Sequence, residues 1–262
     1  MHDSFTYSAY GSLVGRLART HALRRFAELK DGIPPAPFVI LRHDVDYSPR
    51  AALQMATLEA EAGWRATYFL LPSGPYYNLL APEHAGLPRR LVELGHEVGL
   101  HYDVRVFEPF PRPEWDEILD AQAHLLAALS GQDVSSIAMH QPALHGADPF
   151  ASRAGFLNAY HPRFVREATY ISDSCRAWRD ESWRVLSEGP LPARLQLLVH
   201  PVNWAETDRG RSEIFAAVHR DLVRSIDGIH ADLMQKVGEH AAVKEHDARA
   251  ARLQRVRDEA TR

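Results

Sequence analysis

The sequence predicts an α/β fold in which about seven parallel strands, each followed by a helix, close into a barrel, with an amphipathic helix toward the C-terminus. Three observations carry that expectation. Short uninterrupted apolar runs such as Phe38 to Leu41 suit strands covered on both faces, which need no polar alternation. Stretches of helical spacing lie between those runs, the signature of βα units and a parallel sheet. Run after run then ends at its C-terminal side in Asp or His: Asp44 and Asp46, His101, His140, Asp173, His200. In a closed βα barrel these ends converge on the face that houses active sites, whereas residues placed for packing alone would be scattered over both ends.

Along the chain, Leu13, Leu17, Leu23, Phe26 and Leu29 predict a helix over 8–29, closed by Asp31-Gly32 and Pro34-Pro35. The strand over 38–46 follows. Ser48 is the expected N-cap and Pro49 the first-turn proline of a helix running to Gly63, with Ala52, Leu53, Met55, Ala56 and Leu58 as its buried side. A strand over 66–71, a loop with exposed aromatics at 73–78 and a short helix ending at Gly95 come next. Val98 to Leu100 delivers His101, Tyr102 and Asp103. A helix beginning at Pro113 and capped by Gly131 leads to the strand over 137–139 and His140. Strands over 169–171 and 195–199 deliver Asp173 and His200. From Glu206 onward, Val218, Leu222, Ile226, Ile229, Leu233 and Val237 give one amphipathic helix suited to packing on the barrel, ending in a charged, alanine-rich tail.

Composition bounds the function. With 262 residues, 45% hydrophobic and 24% charged, one soluble domain with a sizeable core is expected. A formal net charge of −4 with interspersed arginines argues against nucleic acid as a partner. The single cysteine, Cys175, rules out an intramolecular disulfide, and the N-terminal residues show neither a basic leader nor an apolar segment, so a cytoplasmic protein without a membrane span is expected.

The strand ends suggest chemistry. In an extended strand, side chains two apart share a face, so Asp44 and Asp46 project together while His43 and Val45 point the other way. Adjacent carboxylates repel, and a divalent cation relieves that repulsion. A strand running into an acidic turn is the plainer alternative.

Three segments, RHDVD at 42–46, EAGWRATYFLL at 61–71 and GHEVGLHYD at 95–103, resemble the polysaccharide deacetylases, the family 4 carbohydrate esterases of the NodB homology type. The resemblance spans about 36–204, which would make 1–35 a helical lead-in and 206–262 a helical extension of a single domain. It implies a distorted, TIM-like (β/α) barrel and metal-dependent hydrolysis of N-acetyl, sometimes O-acetyl, groups on sugars. It makes Asp44 the general base and Asp46 and His101 metal ligands. HPVNW at 200–204 and DSCRAW at 173–178 resemble the segments that supply the general acid, His200, and the Asp that orients it, Asp173. Tyr102, Arg105, Arg176, Trp178 and Trp204 are expected at the substrate.

The sequence departs from the family where a second metal histidine is usual, four residues after the first: Arg105 stands there. The arginine motif of the fourth strand is likewise changed, to MHQPA at 139–143. His140 or His145 would then complete the ligands, and His140 is better placed because it closes a strand; Asp46, His101 and His140 meet the count of a catalytic zinc site. Zinc is the first expectation, with cobalt, nickel or manganese as alternatives. Two other readings stand: a metal-dependent nucleotide-sugar enzyme using Asp44-x-Asp46, and a barrel that lost its metal and acts as a binding module. The expected substrate is a small N-acetylated sugar or glycan precursor, and the C-terminal helix offers a surface for homo-oligomerisation.

Overall fold

The computed structural model describes residues 4–178, 180–187 and 189–260. Eight strands, β1 (Ala22–Arg24), β2 (Phe38–Val45), β3 (Thr67–Leu70), β4 (Glu97–Tyr102), β5 (Ser136–Met139), β6 (Leu157–Asn158), β7 (Thr169–Ser172) and β8 (Arg194–Val199), form one sheet. The helices are α1 (Tyr7–Ala18), α2 (Pro49–Glu61), α3 (Leu87–Glu93), α4 (Trp115–Ser130), α5 (Pro142–His145), α6 (Pro162–Val165), α7 (Asp180–Ser187) and α8 (Arg211–Ala260). The strand order is β6-β5-β4-β3-β2-β8-β7, with β1 added beside β2, and every pairing is parallel. This is a distorted (β/α) barrel, and it is open: among the described residues β6 and β7 do not pair.

All eight residues of β2 are buried, which accounts for its apolar start. One edge of the strand carries β8 from Phe38 to His43, while the other is shared by β1 near Phe38 and β3 near Val45. Ser48 caps α2 by accepting from the Ala51 amide at 3.1 Å, and Pro49 opens the helix. At the end of α4, Gly131 adopts φ 78° and returns its N–H to Ala127, a left-handed C-cap that a residue with Cβ resists.

The helix expected over 8–29 stops at Ala18. Leu23 lies in β1 opposite Val39, and Phe26 and Leu29 turn into the core in a short 3-10 turn. Apolar spacings of three and four fit a strand followed by a turn as well as a helix, and the ladder to β2 outweighs local propensity.

The buried side of α2 includes a residue that hydrophobic spacing did not flag, Glu59, with no exposed surface. Its carboxylate meets His43 Nε2 at 2.7 Å, accepts from the Tyr68 hydroxyl at 2.6 Å and accepts from the Tyr10 hydroxyl. Burial opposes ionisation of Glu59, but the adjoining His43 and His96 rings and these donors hold it below the usual carboxylate range. Glu59→Gln leaves His43 without its charged partner, and removing one member of such a pair costs about 3–5 kcal/mol. Urea unfolding should show that loss; a variant as stable as the parent would mean the pair contributes no net stability.

The chain divides into two compact units, residues 1–214 and 215–262. The second is the greater part of α8, where Ile226, Ile229, Leu233 and Val237, expected on a buried face, are 55–63% exposed. Among the described residues no helix is long and apolar enough to cross a membrane.

Candidate metal and acid-base site

The C-terminal ends of β2, β4, β5, β7 and β8 bring six of the sequence-derived residues together. Asp46 leaves the end of β2 with its Oδ1 3.1 Å from His101 Nε2 and 3.2 Å from His140 Nδ1. The two imidazoles are themselves 3.1 Å apart. Asp46, His101 and His140 each offer one ligand atom within 4.8 Å of the others, a group able to hold a metal ion; His145 is outside it. His101 Nδ1 lies 2.8 Å from the Ala138 carbonyl, an acceptor that keeps a proton on Nδ1, so the nitrogen that would give up its proton to bind a cation is Nε2, the one facing the group. Burial resists the charge on Asp46, yet hydrogen bonds from the His101 and His140 rings hold its carboxyl well below the usual range.

Asp44 has a cation of its own. Arg42 grips it through Nε to Oδ1 and Nη2 to Oδ2, both at 2.8 Å. The repulsion foreseen between neighbouring carboxylates is thus met twice over, by arginine at Asp44 and by the histidine pair at Asp46. Burial works against ionisation of Asp44, and the Arg42 guanidinium overcomes it, lowering the carboxyl pKa.

His200 stands on the far side of Asp46, its Nε2 3.9 Å from Oδ2. Its Nδ1 lies 2.6 Å from Asp173 Oδ1. Asp173 is fully buried and saturated: Oδ1 also accepts the His200 backbone N–H at 2.9 Å, and Oδ2 accepts from Trp204 Nε1 at 2.9 Å and Asn203 Nδ2 at 3.1 Å. Burial pulls the His200 pKa down, but the Asp173 charge and hydrogen bond, with Asp46 and Asp44 beyond, push it up to about 9.

The residues expected at the substrate divide. Tyr102 is buried and donates its hydroxyl to Asp148, because it follows His101 on a strand and so faces the other way. Trp204, 3% exposed, turns inward and donates to Asp173, behind the His200–Asp173 pair. Arg176 closes on Asp208 and lies 4.6 Å from the Phe5 ring centroid. Its backbone is left-handed, φ 55° after 62° at Cys175, and its N–H returns to the Asp173 carbonyl at 2.8 Å. Arg105 does not join the metal group: it is half-exposed and chelates Asp103, with Nε 2.9 Å from Oδ1. Trp178 stacks on Phe5 at 6.0 Å and stays partly open to solvent. Sequence reasoning missed Arg42 and Asn203. The alternation that paired Asp44 with Asp46 extends one step back to Arg42, whereas Asn203 owes its place to a 3-10 turn, Pro201–Asn203, that no spacing announces.

No family model and no curated protein matches the chain. Solved structures do. A family 4 carbohydrate esterase (CE4) pseudoenzyme from Bacillus anthracis aligns at TM-score 0.44 and 15% identity over 74% of this chain and 63% of its own. A family 4 carbohydrate esterase from the same organism aligns at 0.42 and 16%, over 76% of this chain and 84% of its own. The likeness is to CE4 folds. A peptidoglycan deacetylase from Bacillus subtilis aligns at 0.44 and 16%, over 74% of this chain and 85% of its own. The chain spans less than two thirds of the length of the pseudoenzyme.

Proposed function

We propose that the chain is a metal-dependent hydrolase that removes the acetyl group from a small N-acetylated sugar or glycan precursor. The observation that carries this reading is the convergence, around Asp46, of two histidine ligands on one side and the Asp173-bound His200 on the other. One carboxylate and two imidazoles suit zinc and its borderline neighbours cobalt, nickel and manganese, and three protein ligands leave a position open. Asp46, His101 and His140 would hold the cation, which would supply Lewis acidity for the acetyl carbonyl and for water. Asp44, kept ionised by Arg42, takes the proton of the attacking water. His200, its charged form favoured and its ring fixed by Asp173, gives its Nε2 proton to the departing nitrogen, which leaves poorly without one. Trp178 is the aromatic surface left for the sugar. The bidentate tie of Asp44 to Arg42 weighs against a joint Asp44-x-Asp46 metal site of the nucleotide-sugar kind.

Metal analysis joined to an acetate-release screen over N-acetyl sugars tests the proposal. One equivalent of zinc, cobalt, nickel or manganese is expected, with acetate release lost to a chelator and regained on adding metal. A metal-free protein that binds sugars without cleaving them would favour the binding module, and nucleotide binding would favour the nucleotide-sugar enzyme.

A further inference from the structure

Arg42 has no surface open to a ligand, yet its guanidinium meets Asp44, Tyr160 and Gln196 together. We propose that Arg42 is the positioning residue for Asp44: its guanidinium holds the carboxylate in one orientation, with Oδ2 turned toward the Asp46, His101 and His140 group. This rests on the reading of Asp44 as the base.

Strand alternation puts Arg42 and Asp44 on one face of β2, with Asp46 just beyond its end. The fork is two parallel bonds of 2.8 Å, the arrangement that fixes the plane of a carboxylate as well as its place. The guanidinium is itself immobilised from several elements. Nη2 also donates to the Tyr160 hydroxyl at 2.9 Å and Nη1 to Gln196 Oε1 at 3.2 Å. The planar group lies 4.4 Å from the Tyr160 ring centroid and 5.2 Å from that of Phe69. Gln196 is held in turn, donating to the carbonyls of Ala159 at 3.1 Å and Phe164 at 2.9 Å. A carboxylate otherwise turns readily about its last bond; this shell removes that freedom.

The consequence for chemistry is directional. The fork occupies the inner lone pair of each oxygen and leaves the outer ones. Oδ2 lies 3.9 Å from His101 Nε2, so its outer lone pair is the one able to receive a proton from water beside the metal ligands. Lysine cannot reproduce this, since one ammonium neutralises the charge without fixing the plane.

The test compares Arg42→Lys and Arg42→Met with the parent for thermal stability, metal content, kcat and KM on an acetate-releasing substrate, and the crystal structure of each variant. Arg42→Lys should fold, bind one metal, and keep KM within about threefold while kcat falls roughly 100-fold, the scale of a misplaced catalytic group. Both variant structures should show the Asp44 carboxylate rotated. Three results would overturn the proposal: kcat in Arg42→Lys within about threefold of the parent, a kcat loss matched by metal loss, or a carboxylate that keeps its orientation. Should the parent release no acetate from any substrate, the deacetylase reading fails alone. Rotation of Asp44 in the Arg42→Lys structure then still upholds the positioning role, and an unmoved carboxylate still overturns it.

Discussion

Asp44→Asn should retain the metal and lose acetate release by about a hundredfold or more, the scale of a missing general base. Asp46→Asn should lose both. The contrast follows from geometry: Asp46 faces His101 and His140 within ligand distance, while Asp44 spends both oxygens on Arg42 and only approaches His101 at 3.9 Å. An amide at position 44 still accepts one hydrogen bond from the guanidinium, but it leaves Arg42 as a buried cation without its charge partner. Loss of such a partner costs about 3–5 kcal/mol, so the comparison belongs at a temperature where circular dichroism shows both variants folded. Metal content by mass spectrometry and initial rates of acetate release decide it. Equal metal loss in the two variants would make Asp44 a ligand and send the search for the base elsewhere.

The site was legible where chemistry coincides with a strand end. Asp44, Asp46, His101, His140 and His200 each follow or close a buried apolar run, and parallel strands fix the end of the barrel on which such residues emerge. His140 could be preferred to His145 for that reason, and it is His140 that stands beside Asp46. What was not legible depends on the side-chain face or on irregular backbone. Tyr102 borders His101 but faces Asp148; the period of two contains that information, and proximity in sequence to a motif obscures it. Trp204 looked like a surface for sugar and instead holds Asp173, because the 3-10 turn after His200 brings the indole back beneath the strand end. Arg176 sits in a left-handed turn, a conformation that nothing in its side chain announces. For the fold, β2, β3, β4, β5, β7 and β8 have apolar runs that mark them, whereas β1 has three residues and β6 two. Elements so short exist through their ladders, which are tertiary facts. Glu59 shows the converse: a charge on a helix reads as solvent-facing until the Tyr10, His43 and Tyr68 side chains that satisfy it converge in space.

His200→Ala should lower turnover on an N-acetyl substrate by about a hundredfold or more and remove the alkaline limb of the pH profile. The parent, with an acid and a base acting together, should give a bell whose limbs are apparent values of the coupled site. The sign follows from the folded-state shift. His200 donates only when protonated, and its pKa lies at about 9, above the ordinary histidine value, so activity is present below that pH and falls as pH rises through it. A cation at Asp46 opposes the contribution of that carboxylate and leaves Asp173 as the main source of the upward shift, so the limb should fall between the ordinary histidine value and about 9. Removing Asp173's charge with Asp173→Asn should move the limb to lower pH, because the imidazolium loses its nearest anion. An ester with an activated leaving group needs no proton on departure, so His200→Ala should spare it in comparison with the amide. Equal losses on amide and ester would make His200 a binding or oxyanion group, and the proton would then have to come from bound water or from a histidine outside the Asp173 pair.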